Sequence, residues 1–319
     1  EGWFVSTQPF RVLIIRPFEP VSRPGVSRTT LWSPGRQKRA KSRPMQSWFR
    51  FFSHWPLWAL HGLGHVAGWL AWALSPVYRR RFMDNARQAG LGLAQVAPAI
   101  GHAGAMSTEL PRLWLGDPVP VQWQGEAVVE KAYASGKGVL FLTPHLGCFE
   151  ITAQALASRF SAQYGPLTVL YRPARQAGLA EVMETSRDRP GLEAVPTTLA
   201  GVRQMIKALR AGHAVGLLPD QVPPEGMGQW APFFGKPAYT MTLAARLALQ
   251  TGAEVVLIWG ERLPWGRGYR LHASALGHAL SPELDVAVVQ VNQAMERLVR
   301  ACPGQYLWGY ARYKGPRGT

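Results

Sequence analysis

From about residue 126 onward, short apolar runs alternate with longer amphipathic stretches. The short runs are typical of buried strands, and the longer ones have the spacing of helices. The predicted strands are Val139–Thr143, Leu167–Tyr171, Ala214–Leu218, Glu254–Gly260 and the more polar Tyr269–Ser274. The predicted helices are Glu126–Ser135, Glu150–Phe160, Leu179–Arg187, Leu199–Ala211, Thr240–Gln250 and Pro282–Ala301. Because parallel strands need helical crossovers, this alternation predicts an α/β fold whose mostly parallel sheet is covered by helices on both faces.

Polar side chains follow three of the predicted strands at the point where each strand ends. His145 follows the first strand, Arg172 follows the second, and Asp220 with Gln221 follows the third. Ligands of parallel sheets bind at the carboxyl ends of the strands. The sequence therefore predicts a functional site at this edge.

The segment between the first strand and the next helix contains His145 and Glu150, five residues apart. On one regular helix this offset would turn the two side chains about 140° away from each other. They can meet only if the chain bends, and Gly147 tolerates a bend. A histidine held by a carboxylate can act as a general base toward a hydroxyl. The alternative is a structural histidine with a glutamate favoured by the dipole at a helix start.

The first 44 residues differ from the rest of the chain. They carry nine Lys or Arg against two Glu, which is +7 of the total net charge of +16. We expect residues 1–44 to be a disordered basic extension, upstream of a natural start at Met45. A basic tail that binds nucleic acid or membrane is a further alternative, since such a charge suits nucleic acid, anionic lipid or an acidic protein.

Residues 51–78 contain no Asp, Glu, Lys or Arg. The most apolar part, Leu57–Leu74, approaches the roughly 20 residues that span a bilayer. Arg50 precedes the segment, Arg79–Arg81 follows it, and its Trp residues suit an interfacial belt. We predict that residues 45–91 form a membrane-associated helical segment, spanning or interfacial, ahead of an α/β domain at 92–319. A buried core helix is the alternative.

Metal, disulfide and thiol chemistry have little support in the sequence. His61 and His65 have the spacing of a metal pair on a helix, but no third ligand lies nearby, so we predict no metal. The two cysteines, Cys148 and Cys302, fit no metal or disulfide pattern, which is consistent with a reducing compartment. A nucleophilic role for Cys148 is disfavoured because its neighbours do not force a thiolate. No cofactor site is visible.

Six blocks in order resemble the bacterial lipid A biosynthesis acyltransferases, the late or secondary acyltransferases with an H-x4-D/E dyad. The blocks are the apolar segment followed by RRRFMDNARQAG, TPHLGCFE (143–150), LYRPAR (170–175), LLPDQ (217–221), FFGKPAYT (233–240) and PGQYLWGYARYKGPRG (303–318). The chain departs from the family at Tyr310–Tyr313, where members commonly carry His-Arg-Arg-Phe. Residues 1–44 have no family counterpart.

The resemblance implies a reaction and a location. A fatty acyl group would pass from acyl carrier protein to a hydroxyl of a lipid A precursor, without an acyl-enzyme. The protein would lie at the cell inner membrane with its catalytic domain on the cytoplasmic side. An alternative acceptor is a phosphatidylinositol mannoside or a lysophospholipid, although LLPDQ stands where a lysophosphatidate acyltransferase usually has P-E-G-T-R. Nucleic-acid binding is indicated only by charge, and we predict no such partner. An inactive membrane scaffold is a further alternative, disfavoured by the intact dyad.

The resemblance also implies roles for the residues at the strand ends. His145 would be the general base and Glu150 its orienting carboxylate. Arg172 and backbone N–H groups near Gly147 are candidates to stabilise the tetrahedral oxyanion, and Arg172 could instead hold an acceptor phosphate. The remaining pair, Asp220 with Gln221, would shape the acceptor site, brace the dyad, or form only a polar turn.

Overall fold

The computed structural model describes residues 43–171 and 189–316. Within these ranges the helices are α1 (Arg43–Ser53), α2 (Leu57–Leu74), α3 (Pro76–Gln88), α4 (Leu93–Val96), α5 (Pro98–Thr108), α6 (Leu110–Leu115), α7 (Glu126–Ala134), α8 (Phe149–Tyr164), α9 (Leu199–Arg210), α10 (Leu243–Thr251) and α11 (Leu284–Ala301). The strands are β1 (Val121–Gln124), β2 (Val139–Leu142), β3 (Leu167–Tyr171), β4 (Leu192–Pro196), β5 (Ala214–Leu217), β6 (Gly228–Phe233), β7 (Lys236–Met241), β8 (Glu254–Arg262) and β9 (Tyr269–Ala275). The predicted helix Leu179–Arg187 lies outside the described residues.

Seven of the described strands form one sheet in the order β1-β9-β8-β2-β5-β3-β4. Every neighbouring pair is parallel except β8 and β9. The predicted mostly parallel sheet is therefore confirmed. Strand β2 lies near the centre, between β8 and β5, and all four of its side chains are buried.

The side chains of β2 alternate between two cores on opposite faces of the sheet. Leu140 and Leu142 belong to a large cluster with residues of α3, α5, α9, α10 and α11. Val139 and Phe141 belong to a second cluster, with residues of α7 and α8. This two-residue period is what a strand covered on both faces requires. The predicted helical layers on both faces are therefore confirmed.

Prolines account for the main differences from the predicted elements. Residues 93–115 form three helices rather than one, and Pro98 and Pro111 lie at N-terminal positions of the second and third, where the missing N–H costs nothing. The strands β6 and β7 form an antiparallel hairpin that was not predicted, because its prolines argue against strands. That hairpin extends to Met241, so the helix expected from Thr240 begins at Leu243.

Helix α2 coincides with the apolar stretch identified in the sequence. One face is buried against α5, where added Cβ atoms on Gly64 and Gly68 would meet the backbone of Ala105 and Ile100. Along its opposite face α2 exposes large apolar side chains. No helix in the described ranges has both the length and the hydropathy needed to cross a membrane.

Candidate active site

The candidate site begins where the chain leaves β2 and turns toward α8, at residues His145–Cys148. Two backbone hydrogen bonds fix this catalytic loop from below. The N–H of Gly147 donates to the carbonyl of Gln305 at 3.0 Å, and the N–H of Cys148 donates to the carbonyl of Gly260, on β8, at 2.7 Å. These two bonds attach the loop to β8 and to the segment that follows α11.

The bend in the loop requires glycine at position 147. Gly147 has φ of +57°, in the left-handed region that L side chains rarely adopt. An added Cβ there would also collide with the carbonyl oxygen of Gly260. The predicted bend at Gly147 is thus confirmed. The N–H groups of Gly147 and Cys148, which lie where oxyanion donors were predicted, donate to the carbonyls of Gln305 and Gly260 in this structure.

The carboxylate that holds His145 is Asp220. Strand β5 pairs with β2, so residues that follow the two strands meet at the same sheet edge. Asp220 Oδ1 lies 2.7 Å from His145 Nδ1, and Asp220 Oδ2 accepts the backbone N–H of His145 at 2.9 Å. Burial disfavours the charged carboxylate, but the electrostatic interaction with His145 and these two hydrogen bonds lower the pKa of Asp220 below its ordinary value. An ionised Asp220 keeps the proton on Nδ1 and leaves a lone pair on Nε2.

The second ring nitrogen faces the next residue in the chain. The amide nitrogen of Gln221 lies 3.0 Å from His145 Nε2. With the proton on Nδ1, the amide is the donor and Nε2 the acceptor. Val222 continues the turn, and its N–H donates to the hydroxyl of Tyr310 at 3.0 Å. The turn after β5 thus holds both sides of the imidazole.

Glu150 occupies a different position from the one predicted. The bend at Gly147 brings the ring of Phe149, not Glu150, against the imidazole, with ring centroids 5.1 Å apart. The carboxylate of Glu150 accepts the indole N–H of Trp114 at 3.2 Å. Since Asp220 takes Nδ1 and a glutamine amide takes Nε2, neither hydrogen bond of the ring goes to Glu150. The predicted hydrogen bond between His145 and Glu150 is therefore not formed, and the carboxylate at Nδ1 is that of Asp220.

Two buried residues near Asp220 escaped the sequence interpretation. The first, Tyr306, has a pKa raised well above its usual range by burial and by the charge of Asp220, to which its side chain is hydrogen-bonded. The second, Arg312, donates to the carbonyl of Tyr239 at 2.8 Å and to the hydroxyl of Thr240 at 2.7 Å, and its charge helps to lower the pKa of Asp220. Both lie in the 303–318 block, which was the only sequence signal. Arg172 lies outside the described residues.

Beneath the loop lies a buried ion pair that the sequence did not reveal. Arg262 donates to both oxygens of Glu109, at 2.8 and 2.6 Å, and Tyr269 donates to the same carboxylate at 2.9 Å. Burial, the largest single effect, opposes ionisation of Glu109. The charge of Arg262 and the hydrogen bonds with His61 and Arg262 together outweigh it and lower the glutamate pKa to about 2. His61 also hydrogen-bonds to Glu109, at 3.1 Å. This cluster ties α2 to β8 and β9.

Burial of the Cys148 side chain disfavours thiolate chemistry. Cys148 is 1% exposed, and burial together with the charge of Glu109 raises its thiol pKa well above the usual value. In the described part of the chain, no three His, Cys, Asp or Glu side chains gather as metal ligands would.

A histidine with a lone pair on Nε2, held by a buried aspartate at the carboxyl end of a central parallel strand, can deprotonate a hydroxyl. The fold and site together define an α/β protein with a histidine–aspartate pair at the ligand edge of its sheet. A family model described as bacterial lipid A biosynthesis acyltransferase matches residues 103–315. The chain belongs to this family and is an acyltransferase, which confirms the resemblance seen in the sequence.

The curated relatives that match the chain are similar at modest identity. The lipid A biosynthesis lauroyltransferase of Escherichia coli (strain K12) is 28% identical over 218 residues, which cover 66% of this chain and 68% of that protein. The palmitoleoyltransferase of the same organism is 25% identical over 232 residues, covering 72% of this chain and 70% of that protein. The myristoyltransferase is 25% identical over 191 residues, covering 59% and 57%.

Proposed function

We propose that this protein transfers a fatty acyl group from acyl carrier protein to a hydroxyl of a lipid A precursor. The names of the relatives support the acceptor class and the transfer of lauroyl, myristoyl or palmitoleoyl groups by those proteins. The observation that carries the proposal is the hydrogen-bonded pair of His145 and Asp220. It is a ready general base, and the reaction needs one because a sugar hydroxyl is a weak nucleophile.

In the proposed reaction, His145 Nε2 takes the proton of the acceptor hydroxyl as its oxygen attacks the thioester carbon. A tetrahedral oxyanion forms, the carbon–sulfur bond breaks, and the imidazolium returns the proton to the departing thiolate. Asp220 accepts the Nδ1–H throughout and stabilises the imidazolium. A positioned base of this kind contributes roughly 10²–10⁴ in rate. The two reactants meet directly, so no acyl-enzyme is needed.

Gln221 is proposed as a substrate-binding residue. In the absence of substrate its amide N–H donates to Nε2, which is the position the acceptor hydroxyl must take. The arriving hydroxyl displaces that N–H, and the freed amide is then within reach of an oxygen on the reacting group. Arg172 is proposed for the same task, as an oxyanion donor or as the partner of an acceptor phosphate. Both assignments use donors aimed at developing negative charge.

Glu150 is proposed as a second acidic residue of the site rather than as the orienting carboxylate. It begins the first turn of α8, directly after the phenylalanine that contacts the imidazole. Its negative charge favours the imidazolium that forms during turnover without fixing the ring. We expect Glu150 to contribute less than Asp220.

The proposed partners follow from charge and substrate. The chain carries a net charge of +16, which suits an acidic carrier protein, a phosphorylated lipid and an anionic leaflet. We place the enzyme at the cell inner membrane, with its catalytic domain on the cytoplasmic side. Another lipid acceptor stays an alternative, and an acceptor panel would distinguish it.

The test is turnover in detergent micelles with acyl carrier protein loaded with a fatty acid and a lipid A precursor. His145→Ala should remove activity, whereas His278→Ala, which changes an exposed histidine, should retain it. Mass spectrometry of the product identifies the acceptor and the ester. Equal rates for His145→Ala and the unmodified enzyme would refute the proposed mechanism. Acylation of a lysophospholipid but not of the lipid A precursor would refute the proposed acceptor.

A further inference from the structure

The exposed side of α2 is apolar along its whole length. Its large exposed side chains share one helical face and are Trp58, Leu63, Val66, Trp69, Leu70 and Leu74. Together with Trp265 we call them the apolar surface. Residues 51–78 contain no charged side chain, so nothing along α2 interrupts this surface. Contiguous apolar faces of this kind mark interaction sites.

Trp265 extends the apolar surface from a different part of the chain. It lies in the turn after β8, and that turn packs against the start of α2, where an added Cβ on Gly266 would touch the backbone of Trp58. Trp265 has φ of +60° and is 88% exposed. A bulky residue in this backbone region is strained. The fold therefore holds an indole out toward the surroundings, next to a second exposed indole.

The charges at the rim of the apolar surface are basic. Exposed arginines stand at both ends of α2 and beside the turn, namely Arg50, Arg80 and Arg267. The guanidinium of Arg79 lies 5.5 Å from the ring centroid of Trp72. Indoles with arginines at the polar boundary are the composition of a protein surface at anionic lipid headgroups. This charge favours a lipid bilayer as the occupant over a second copy of the same basic chain.

The packing of α2 sets its orientation. The face opposite the apolar surface is buried on α5, including the backbone at Gly64 and Gly68. Only the flank of the helix is available, so a bilayer on this surface lies parallel to the helix axis. Residues 58 and 74 would then touch the bilayer about 24 Å apart, at the same depth.

A short chain of contacts connects this side of the molecule to the catalytic loop. On α1, the ring of Phe49 stacks on Trp114 with centroids 5.8 Å apart, and the indole N–H of Trp114 donates to Glu150. Helix α1, which leads directly into α2, is thus connected to the helix that follows the His145 loop.

We propose that the apolar surface binds an anionic bilayer with α2 lying in the plane of the membrane. This inference rests on the proposed function, in which the enzyme acts at a membrane, and it assigns the surface that contacts that membrane. Binding is measured here without substrates, and turnover is measured separately on a short-chain, water-soluble acceptor analogue. Disruption of the apolar surface would therefore lower vesicle binding without lowering turnover. An error in the proposed function would instead appear as missing turnover with intact vesicle binding.

The first test is flotation of the full chain with vesicles of phosphatidylethanolamine and phosphatidylglycerol. Trp58→Ser with Trp265→Ser should weaken binding by tenfold or more, since both indoles lose their apolar contact. A control pair, Leu249→Ser with Val286→Ser, changes exposed apolar side chains on α10 and α11 and should bind like the unmodified chain. Equal loss in both pairs, or in neither, would overturn the proposal. A dimer formed through this face in solution, dissolved by the tryptophan changes, would overturn it as well.

The second test measures depth. Single cysteines placed by Leu63→Cys, Leu70→Cys and Leu74→Cys, which lie within about 40° of one another around the helix, carry a fluorophore in a Cys302→Ser background. Nitroxide lipids quench this fluorophore according to its depth. An in-plane helix gives the same shallow depth at all three positions. Quenching near the bilayer midplane at positions 63 and 70, with a shallower value at position 74, would mean that α2 crosses the bilayer and would overturn the in-plane assignment. The unlabelled thiol of Cys148 is buried and does not compete.

Discussion

Replacing Asp220 with asparagine tests which carboxylate directs the general base. The carboxylate accepts two hydrogen bonds from His145, one from the ring at 2.7 Å and one from the backbone at 2.9 Å. An asparagine that keeps the backbone bond must turn its NH₂ group toward Nδ1. The imidazole then moves its proton to Nε2, where the base needs its lone pair.

The expected loss is large because the wrong tautomer removes the base. In Ser-His-Asp enzymes the equivalent change lowers kcat about 10⁴-fold. For Asp220→Asn we expect a fall of about 10³–10⁴ in kcat with little change in KM, because substrate contacts remain. Glu150→Gln should cost roughly tenfold, since Glu150 acts only through its charge.

The assay is steady-state turnover with acyl carrier protein thioester and lipid A precursor in micelles. Asp285→Asn, an exposed change on α11, serves as the matched control and should leave kcat unaltered. Because residues that act as a unit are not additive, the double variant His145→Ala with Asp220→Asn should be no slower than His145→Ala. The reasoning would be refuted if Asp220→Asn stayed within tenfold while Glu150→Gln fell to the level of His145→Ala.

Four further outcomes concern the loop and the buried ion pair. Cys148→Ala should retain most of its turnover, because the thiol is buried and protonated; loss equal to that of a base variant would contradict this. Gly147→Ala should lower kcat and cost about 1–3 kcal/mol in chemical denaturation, because its Cβ meets the carbonyl of Gly260; an unchanged midpoint would count against the bend. Glu109→Gln should destabilise by about 3–5 kcal/mol by leaving Arg262 buried without its counter-ion, whereas loss under 1 kcal/mol would exclude a structural ion pair. The pKa of Glu109 falls from 4.5 to about 2 on folding, so its contribution to stability is complete above pH 4.5 and is lost toward pH 2. Between these pH values the free energy of unfolding should therefore depend less on pH in Glu109→Gln than in the unmodified chain.

The sequence predicted the parallel sheet and the polar residues at its carboxyl edge because both depend on local patterns. Buried runs such as Val139–Leu142 identify themselves by composition, and polar residues after them indicate the ligand edge. The choice of partner for His145 could not be made this way. Glu150 is near in sequence, but Asp220, 75 positions away, is near in space. The order of the strands in the sheet brings Asp220 to His145, and that order cannot be deduced from any single segment of the sequence.

The other residues that the sequence analysis missed are buried by contacts between parts of the chain that are distant in sequence. Glu109 and Arg262 are 153 positions apart, and each alone resembles an ordinary surface charge. Their pairing depends on helix α6 meeting the end of β8. Arg312 was equally hidden, since its partners at Tyr239 and Thr240 belong to a hairpin whose prolines concealed it. Buried charges of this kind become visible only with the three-dimensional fold.

The catalytic loop is hydrogen-bonded to residues that follow all of the described strands in sequence and are therefore synthesised after them. Gln305 holds the N–H of Gly147, and Leu307 donates to the carbonyl of His145. A nascent chain can therefore assemble its sheet while the imidazole still lacks its final anchor. We therefore expect a growing polypeptide to stay inactive until this segment has emerged from the ribosome and docked against the loop.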